Sequence, residues 1–252
     1  MDDRHRLPHD ATCAAVAGEI EAFAAALVGA DPAASVPTCP GWTVTHLVRH
    51  LGRVHRWAEM LVRTRAGEYR EFPRDQLHFP DDPAGWPDWI RTGGERLVTT
   101  LRGAAPDEPM WAWGTHRRVR FWPRRQLHET TVHRTDLAAA AGSPAKDLDP
   151  VVALDGVEEF LLVMPHLNER LPELHGDGRL LFTATDSGHQ WWVRLRPNGL
   201  EWGRHTSGTP DVTVRAPVVD LYLFLWGRVA VDTLAVDGDR ALLDFWISHS
   251  RL

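Results

Sequence analysis

Apolar positions at the start of the chain recur with a helical period. Val16, Ile20, Phe23, Leu27 and Val28 lie among alanines and predict an amphipathic helix over about residues 9–30, ended by Asp31-Pro32. A second stripe of Leu47, Leu51, Val54, Ala58 and Leu61 predicts a helix starting near Pro40, with Thr38 or Cys39 as its cap. Residues 67–85, rich in Pro, Asp and Phe, read as a long connection. Trp86, Trp89, Ile90, Leu97 and Leu101 then outline a third helix, weakened at its centre by Gly93-Gly94. A fourth runs from about residue 123 to 141, between a starting Pro123 and a terminating Gly142. Four such helices predict a bundle.

Beyond SPAKDLDP the pattern changes. A helix near residues 150–164 precedes the strand-like stretches RLLFTATD, QWWVRLR and DVTVRAP, with turn residues between them. A helix over about 217–227, a short strand TLAV and a helix over 239–250 complete the chain. The 252 residues exceed the usual single-domain size of roughly 100 to 150, which favours two domains. The expected fold class is therefore α+β, with a helical bundle over residues 1–146 and a smaller α/β domain over 147–252.

Composition narrows the function. At 43% hydrophobic and 25% charged the chain reads as a soluble globular protein, and a net charge of -6 argues against a nucleic-acid partner. The densest basic run, Arg117, Arg118, Arg120, Arg124 and Arg125, is interrupted by Val119, Phe121, Trp122 and Pro123, and reads equally as a solvated face or an anion-attracting rim. Lys146 is the only lysine and lies in a loop-like stretch, so Walker-type phosphate loops and Schiff-base chemistry drop out. Cys13 and Cys39 lack CxxC spacing, which points to no disulfide framework, no cysteine-ligated zinc ribbon and a reducing cytosol. MDDRHRLPHD has no signal-peptide core, and no run approaches the roughly 20 apolar residues of a membrane span. The expectation is a cytoplasmic protein without a membrane partner, as a monomer or homodimer.

The chemistry concentrates on two helices. Glu129 and His133 stand four residues apart, on one face of the fourth helix, and can hold one ion together. His50, beside Leu47, Leu51 and Val54 on the second helix, can supply a third donor from across the bundle. Two histidines and a glutamate leave a coordination position open, the mark of a catalytic rather than a structural metal. His46 is one turn away and rivals His50, whereas His128 points off the Glu129–His133 face. Asp136, three residues after His133, reads as an acceptor orienting that ligand or, by a slight preference, as a surface acid. The tryptophans at 86, 89, 111, 113 and 122 read as packing before pocket lining.

The segments VPTCPGWTVTHLVRHLGRVHRWAEML and LHETTVHRTDLAAA resemble the N-terminal domain of the mycothiol-dependent maleylpyruvate isomerase family, a branch of the DinB-like four-helix metalloproteins. DVTVRAPVVDLYLFLWGR, followed by VDGD and a tryptophan-bearing last helix, resembles that family's small α/β domain, itself similar to sterol-carrier domains. The resemblance implies that His50, Glu129 and His133 ligate a divalent ion, zinc, and that His46 is not a ligand. It implies Arg228, within Trp226-Gly227-Arg228, as the catalytic arginine. It further implies mycothiol, the thiol of actinobacteria, as cosubstrate in an attack on a small-molecule electrophile, with isomerisation or S-transfer as the outcome. The arginine-, alanine- and glycine-rich composition of a GC-rich genome agrees with such a source. Two other classes remain: a hydrolase using zinc-bound water, and a non-enzymatic apolar-ligand binder stapled by a structural metal.

Overall fold

A computed structural model describes residues 7–114, 117–143, 147–167, 173–197, 199–204 and 208–251. Lys146, and part of the loop assigned to it, lie outside the described residues. The chain divides into two compact units, Met1–Asp147 and Leu148–Leu252. No described helix is long and apolar enough to cross a membrane.

The first unit contains α1 (His9–Ala26), α2 (Val44–Arg63), α3 (Trp86–Gly103) and α4 (Phe121–Ala140). α1 and α2 each pack against both α3 and α4. The predicted stripes meet in the core: Val16, Ile20 and Phe23 of α1, Leu47, Leu51 and Leu61 of α2, and Ile90, Leu97 and Leu101 of α3 are all buried. α4 differs because it is covered on every side, with Arg125, Gln126, His128, Thr130, Thr131, His133, Thr135 and Asp136 buried beside Trp122 and Leu127. Two of its threonines hydrogen-bond to the helix itself, Thr130 to the Gln126 carbonyl at 2.7 Å and Thr135 to that of Thr131 at 3.1 Å.

Three helix expectations need correction. α1 stops at Ala26, where the N–H groups of Leu27 and Val28 turn to carbonyls three residues back at 3.3 Å, and Gly29 at φ +77° redirects the chain. Val28 therefore leaves the core stripe and is 73% exposed. α2 begins at Val44, not near Pro40. Pro40 and Gly41, the latter at φ +82°, occupy the centre of a turn closed by the Trp42 N–H to Cys39 carbonyl bond of 3.0 Å, the arrangement of a type II turn. Thr43 caps the helix instead, its N–H donating to His46 Nδ1 at 3.1 Å. The third correction concerns Gly93-Gly94, which does not interrupt α3. A Cβ at Gly93 would stand 2.4 Å from the Arg56 guanidinium, and one at Gly94 2.5 Å from Ile20 Cγ2. These glycines let α1 and α2 approach α3 closely, and packing outweighs their low helix propensity.

The tryptophans behave as packing. Trp57, Trp111, Trp113 and Trp122 form a cluster with ring centroids 5.1 to 6.1 Å apart. Trp86 and Trp89 close on Phe79 at 5.5 and 5.1 Å. The basic run splits: Arg125 is buried, whereas Arg118 and Arg120 bond to the backbone and side chain of Asp107.

The second unit comprises α5 (Pro150–Leu167), β1 (Arg179–Ala184), β2 (Gln190–Arg196), β3 (Gly199–Gly203), β4 (Val212–Ala216), α6 (Val218–Leu225), β5 (Ala235–Gly238) and α7 (Arg240–Ser250). Its sheet has the order β3-β2-β1-β4-β5, parallel only between β1 and β4. Leu180 and Phe182 of β1, Trp191, Val193 and Leu195 of β2, and Val212 and Val214 of β4 are buried together with Phe160, Tyr222 and Trp246 of the helices. β3, five residues between two glycines, was too short and too glycine-bounded to stand out as a strand, yet it pairs along β2 from Arg196↔Gly199 to Trp192↔Gly203.

Candidate metal centre

Three donors converge inside the bundle. His50 Nε2 lies 3.0 Å from Glu129 Oε1, and His133 Nε2 lies 3.4 Å from the same oxygen. One ligand atom from each residue falls within 4.8 Å of the others. Around an ion with metal–nitrogen bonds of about 2.0–2.1 Å, tetrahedral ligands stand roughly 3.4 Å apart, so the spacing suits a single divalent ion. His50 projects from α2 one turn after His46, whose Nδ1 is held at the helix start by Thr43. His46 is thus taken up in capping and is absent from the cluster.

The support of His133 strengthens the fit. Its Nδ1 lies 2.8 Å from Asp136 Oδ2, and since a carboxylate accepts, Nδ1 carries a proton and Nε2 is the atom turned to the cluster, where a bound metal ion would take the place of its proton. A carboxylate on the far nitrogen is the usual partner of a metal-bound histidine. Asp136 is completely buried, which corrects the preference for a surface acid. It accepts from Thr38 Oγ1 at 2.6 Å and from Cys39 Sγ at 3.4 Å. Cys39, His133 and Asp136 also meet the geometric condition for a ligand group, but there His133 offers the nitrogen already protonated toward Asp136.

Charge in the centre is balanced by neighbours. Burial alone would raise the Glu129 carboxyl, but hydrogen bonds from His133 and His50 and the nearby charges of His133 and Arg125 hold it well below the usual carboxylate range. Burial would lower His133, yet its bonds to Asp136, Cys39 and Glu129 hold it well above the ordinary histidine value. Arg125, one turn before Glu129 and only 3% exposed, donates to Glu129 Oε2 at 3.1 Å. Trp42 closes on both histidines, its ring centroid 4.9 Å from His50 and stacked 6.2 Å from His133. His55, five residues after His50, bonds Thr130 Oγ1 at 2.9 Å and takes no part in the cluster; burial pushes it down to about 3.

Arg125, Cys39 and Trp42 are missing from the sequence-based site. Arg125 carried a signal, the i,i+4 spacing to Glu129, masked by its place in a basic run. Cys39 and Trp42 carried none once Pro40 was read as a helix start. Arg228 stands in the second unit, in the turn that ends α6. Gly227 takes φ +76° there, the Arg228 N–H donates to the Leu223 carbonyl at 2.7 Å, and the guanidinium donates to the Trp226 carbonyl.

The sequence family described as mycothiol maleylpyruvate isomerase N-terminal domain matches residues 13–138, and the corresponding C-terminal domain matches residues 151–245. The chain belongs to this family. Two crystal structures of a mycothiol-dependent maleylpyruvate isomerase, one a histidine-to-alanine mutant, superpose with a TM-score of 0.65 at 14% identity, covering 92% of this chain and 93% of that chain. At that identity the likeness speaks for the two-domain α+β fold. No curated protein matches the chain. Within the N-terminal match of this isomerase family fall His50, Glu129, His133 and the supporting Asp136, and within the C-terminal match falls Arg228.

Proposed function

We propose that the chain is a zinc- and mycothiol-dependent enzyme that adds the thiol to an electrophilic small molecule, with His50, Glu129 and His133 as the metal ligands. The observation that carries this reading is the convergence of three donors, one of them a histidine whose other nitrogen is held by a buried aspartate. Family membership supports mycothiol as the thiol. Bound there, zinc supplies a Lewis acid that keeps a thiol deprotonated at neutral pH.

The chain's own residues set the conditions. Arg125 donates to the second oxygen of Glu129, Asp136 fixes the direction of His133, and Trp42 restrains both imidazole rings. In the isomerase form, sulfur adds to a conjugated double bond, the bond that has become single rotates, and expulsion of sulfur returns the thiol with the trans product. In the S-transferase form the adduct takes up a proton and is released. Arg228 is the group proposed to pair with the substrate carboxylate or the enolate oxygen that develops, for which its planar fork is suited.

The test is turnover of maleylpyruvate, and of a panel of conjugated electrophiles, by wild type and His50→Ala with and without mycothiol. Wild-type turnover only with the thiol, and a loss of at least about 100-fold in His50→Ala, is the expected result. Equal turnover in thiol-free buffer would assign the centre to hydrolysis.

A further inference from the structure

A cavity on the outward face of the five-stranded sheet takes no part in this chemistry. Side chains alternate along β2, so Trp191, Val193 and Leu195 enter the core while Trp192, Arg194 and Arg196 stand on the opposite face. The register sets Arg179 of β1 directly opposite Arg194, and Arg194 opposite Glu201 of β3. These residues, with Leu181 of β1, line a cavity of about 320 Å³.

Its charge is unbalanced. Among the described lining residues, three arginines face one carboxylate. Glu201 is engaged by Arg196, Nη2 to Oε2 at 2.6 Å, and also stands opposite Arg194, so one carboxylate serves two arginines while Arg179 and Arg194 remain like charges on paired strands. Like charges so placed oppose strand pairing. The Nε atoms of Arg194 and Arg196 are also buried without a hydrogen-bond partner, a costly state for a donor. Two glycines shape the space: a Cβ at Gly203 would meet the Trp192 indole at 2.9 Å, and one at Gly208 would meet the Arg179 guanidinium at 2.7 Å. The backbone is thus kept clear for an indole and a guanidinium at the cavity wall.

We propose that this cavity binds a small organic anion, its phosphate or carboxylate group held between Arg179 and Arg194 and its planar apolar part on Trp192. An anion relieves the opposition of the two arginines and can accept from the unpaired Nε–H of Arg194. The volume lies at the lower end of small-molecule sites, roughly 300–1,000 Å³. One tryptophan offers a platform for one ring, whereas a nucleic-acid strand is bound on successive aromatic platforms. The site uses none of His50, Glu129, His133 or Arg228.

Calorimetric titration of the zinc-loaded full chain with 1-naphthyl phosphate tests the proposal, alongside inorganic phosphate, 1-naphthol and a single-stranded DNA of about twelve nucleotides. The expected result is one 1-naphthyl phosphate per chain, bound at least about tenfold more tightly than inorganic phosphate or 1-naphthol. Arg179→Gln and Arg194→Gln should each weaken it about tenfold, Glu201→Gln should strengthen it, and His50→Ala should leave it unchanged. Without ligand, Arg179→Gln should unfold at a higher temperature than wild type, because the opposition across β1 and β2 is gone while Arg194 keeps Glu201 opposite it. Arg194→Lys, which keeps the charge but loses the fork, should bind with intermediate affinity. No saturation by about 1 mM 1-naphthyl phosphate would overturn the proposal, as would unchanged affinity in a folded Arg179→Gln or Arg194→Gln, or tighter binding of the oligonucleotide.

Discussion

Replacing Asp136 tests whether the centre depends on the orientation of His133. The buried carboxylate accepts from His133 Nδ1 at 2.8 Å, Thr38 Oγ1 at 2.6 Å and Cys39 Sγ at 3.4 Å. Asparagine has nearly the same shape. With its oxygen toward His133 and its NH2 toward the Thr38 hydroxyl, which can turn to accept, the network survives without its charge. A charge-assisted bond then becomes a neutral one, about half as strong. Alanine removes every acceptor and leaves a buried imidazole N–H unpaired, at a cost of about 1–3 kcal/mol. Loss of such a supporting partner lowers metal affinity by about 10–100-fold, or roughly 1.4–2.7 kcal/mol. Asp136→Asn should fall near the low end and Asp136→Ala near the high end. Competition against a chromogenic zinc chelator at neutral pH measures both. An Asp136→Ala protein within about threefold of wild-type affinity would show that the ring is held by something other than this carboxylate.

Further predictions concern packing and titration. Gly94→Ala places a methyl 2.5 Å from Ile20 Cγ2, and should lower stability in thermal unfolding by about 1–3 kcal/mol despite a better helix propensity. Gly18→Ala, at an exposed position of α1 with nothing within 4 Å of the new Cβ, should raise stability by about 0.5–1 kcal/mol. Buried His55, pushed down to about 3, binds a proton in the unfolded chain near pH 6.5 but not in the folded one. Stability from this group is therefore complete above about pH 6.5 and falls as pH drops toward 3, by up to about 1.4 kcal/mol per unit. Urea unfolding at about pH 5 and 7 should show a shallower pH dependence in His55→Leu than in wild type. Cys13 is buried and its thiol is pushed up to about 11, so alkylation followed by mass spectrometry should label half-buried Cys39 first.

The bundle was legible because its apolar stripes have a clear period, and the ligands were legible because Glu129 and His133 share a helix face with i,i+4 spacing. His50 was separated from His46 by the family resemblance. Spacing left both open, since the capping bond that occupies His46 depends on where α2 starts. That start was misread at Pro40, which suits a first helical turn and the second position of a type II turn equally well. The same misreading hid the PTCPGW turn, which delivers Thr38 and Cys39 to Asp136 and Trp42 to the histidines. Asp136 read as a surface acid because an aspartate on a helix is usually solvated, yet the buried residues of α4 lie all round. Polar residues such as Thr131 and Gln126 do not announce burial in sequence. Gly93-Gly94 misled for a related reason: propensity is local, whereas the approach of Arg56 and Ile20 is tertiary.

The most direct test of the metal centre is the zinc content of the purified chain after equilibrium dialysis, beside His50→Ala, Glu129→Gln and His133→Ala, with circular dichroism confirming that each variant is folded. One zinc per wild-type chain and substoichiometric zinc in all three variants are the expected result. A wild-type chain that takes up no zinc, or folded variants that each keep a full equivalent, would contradict it.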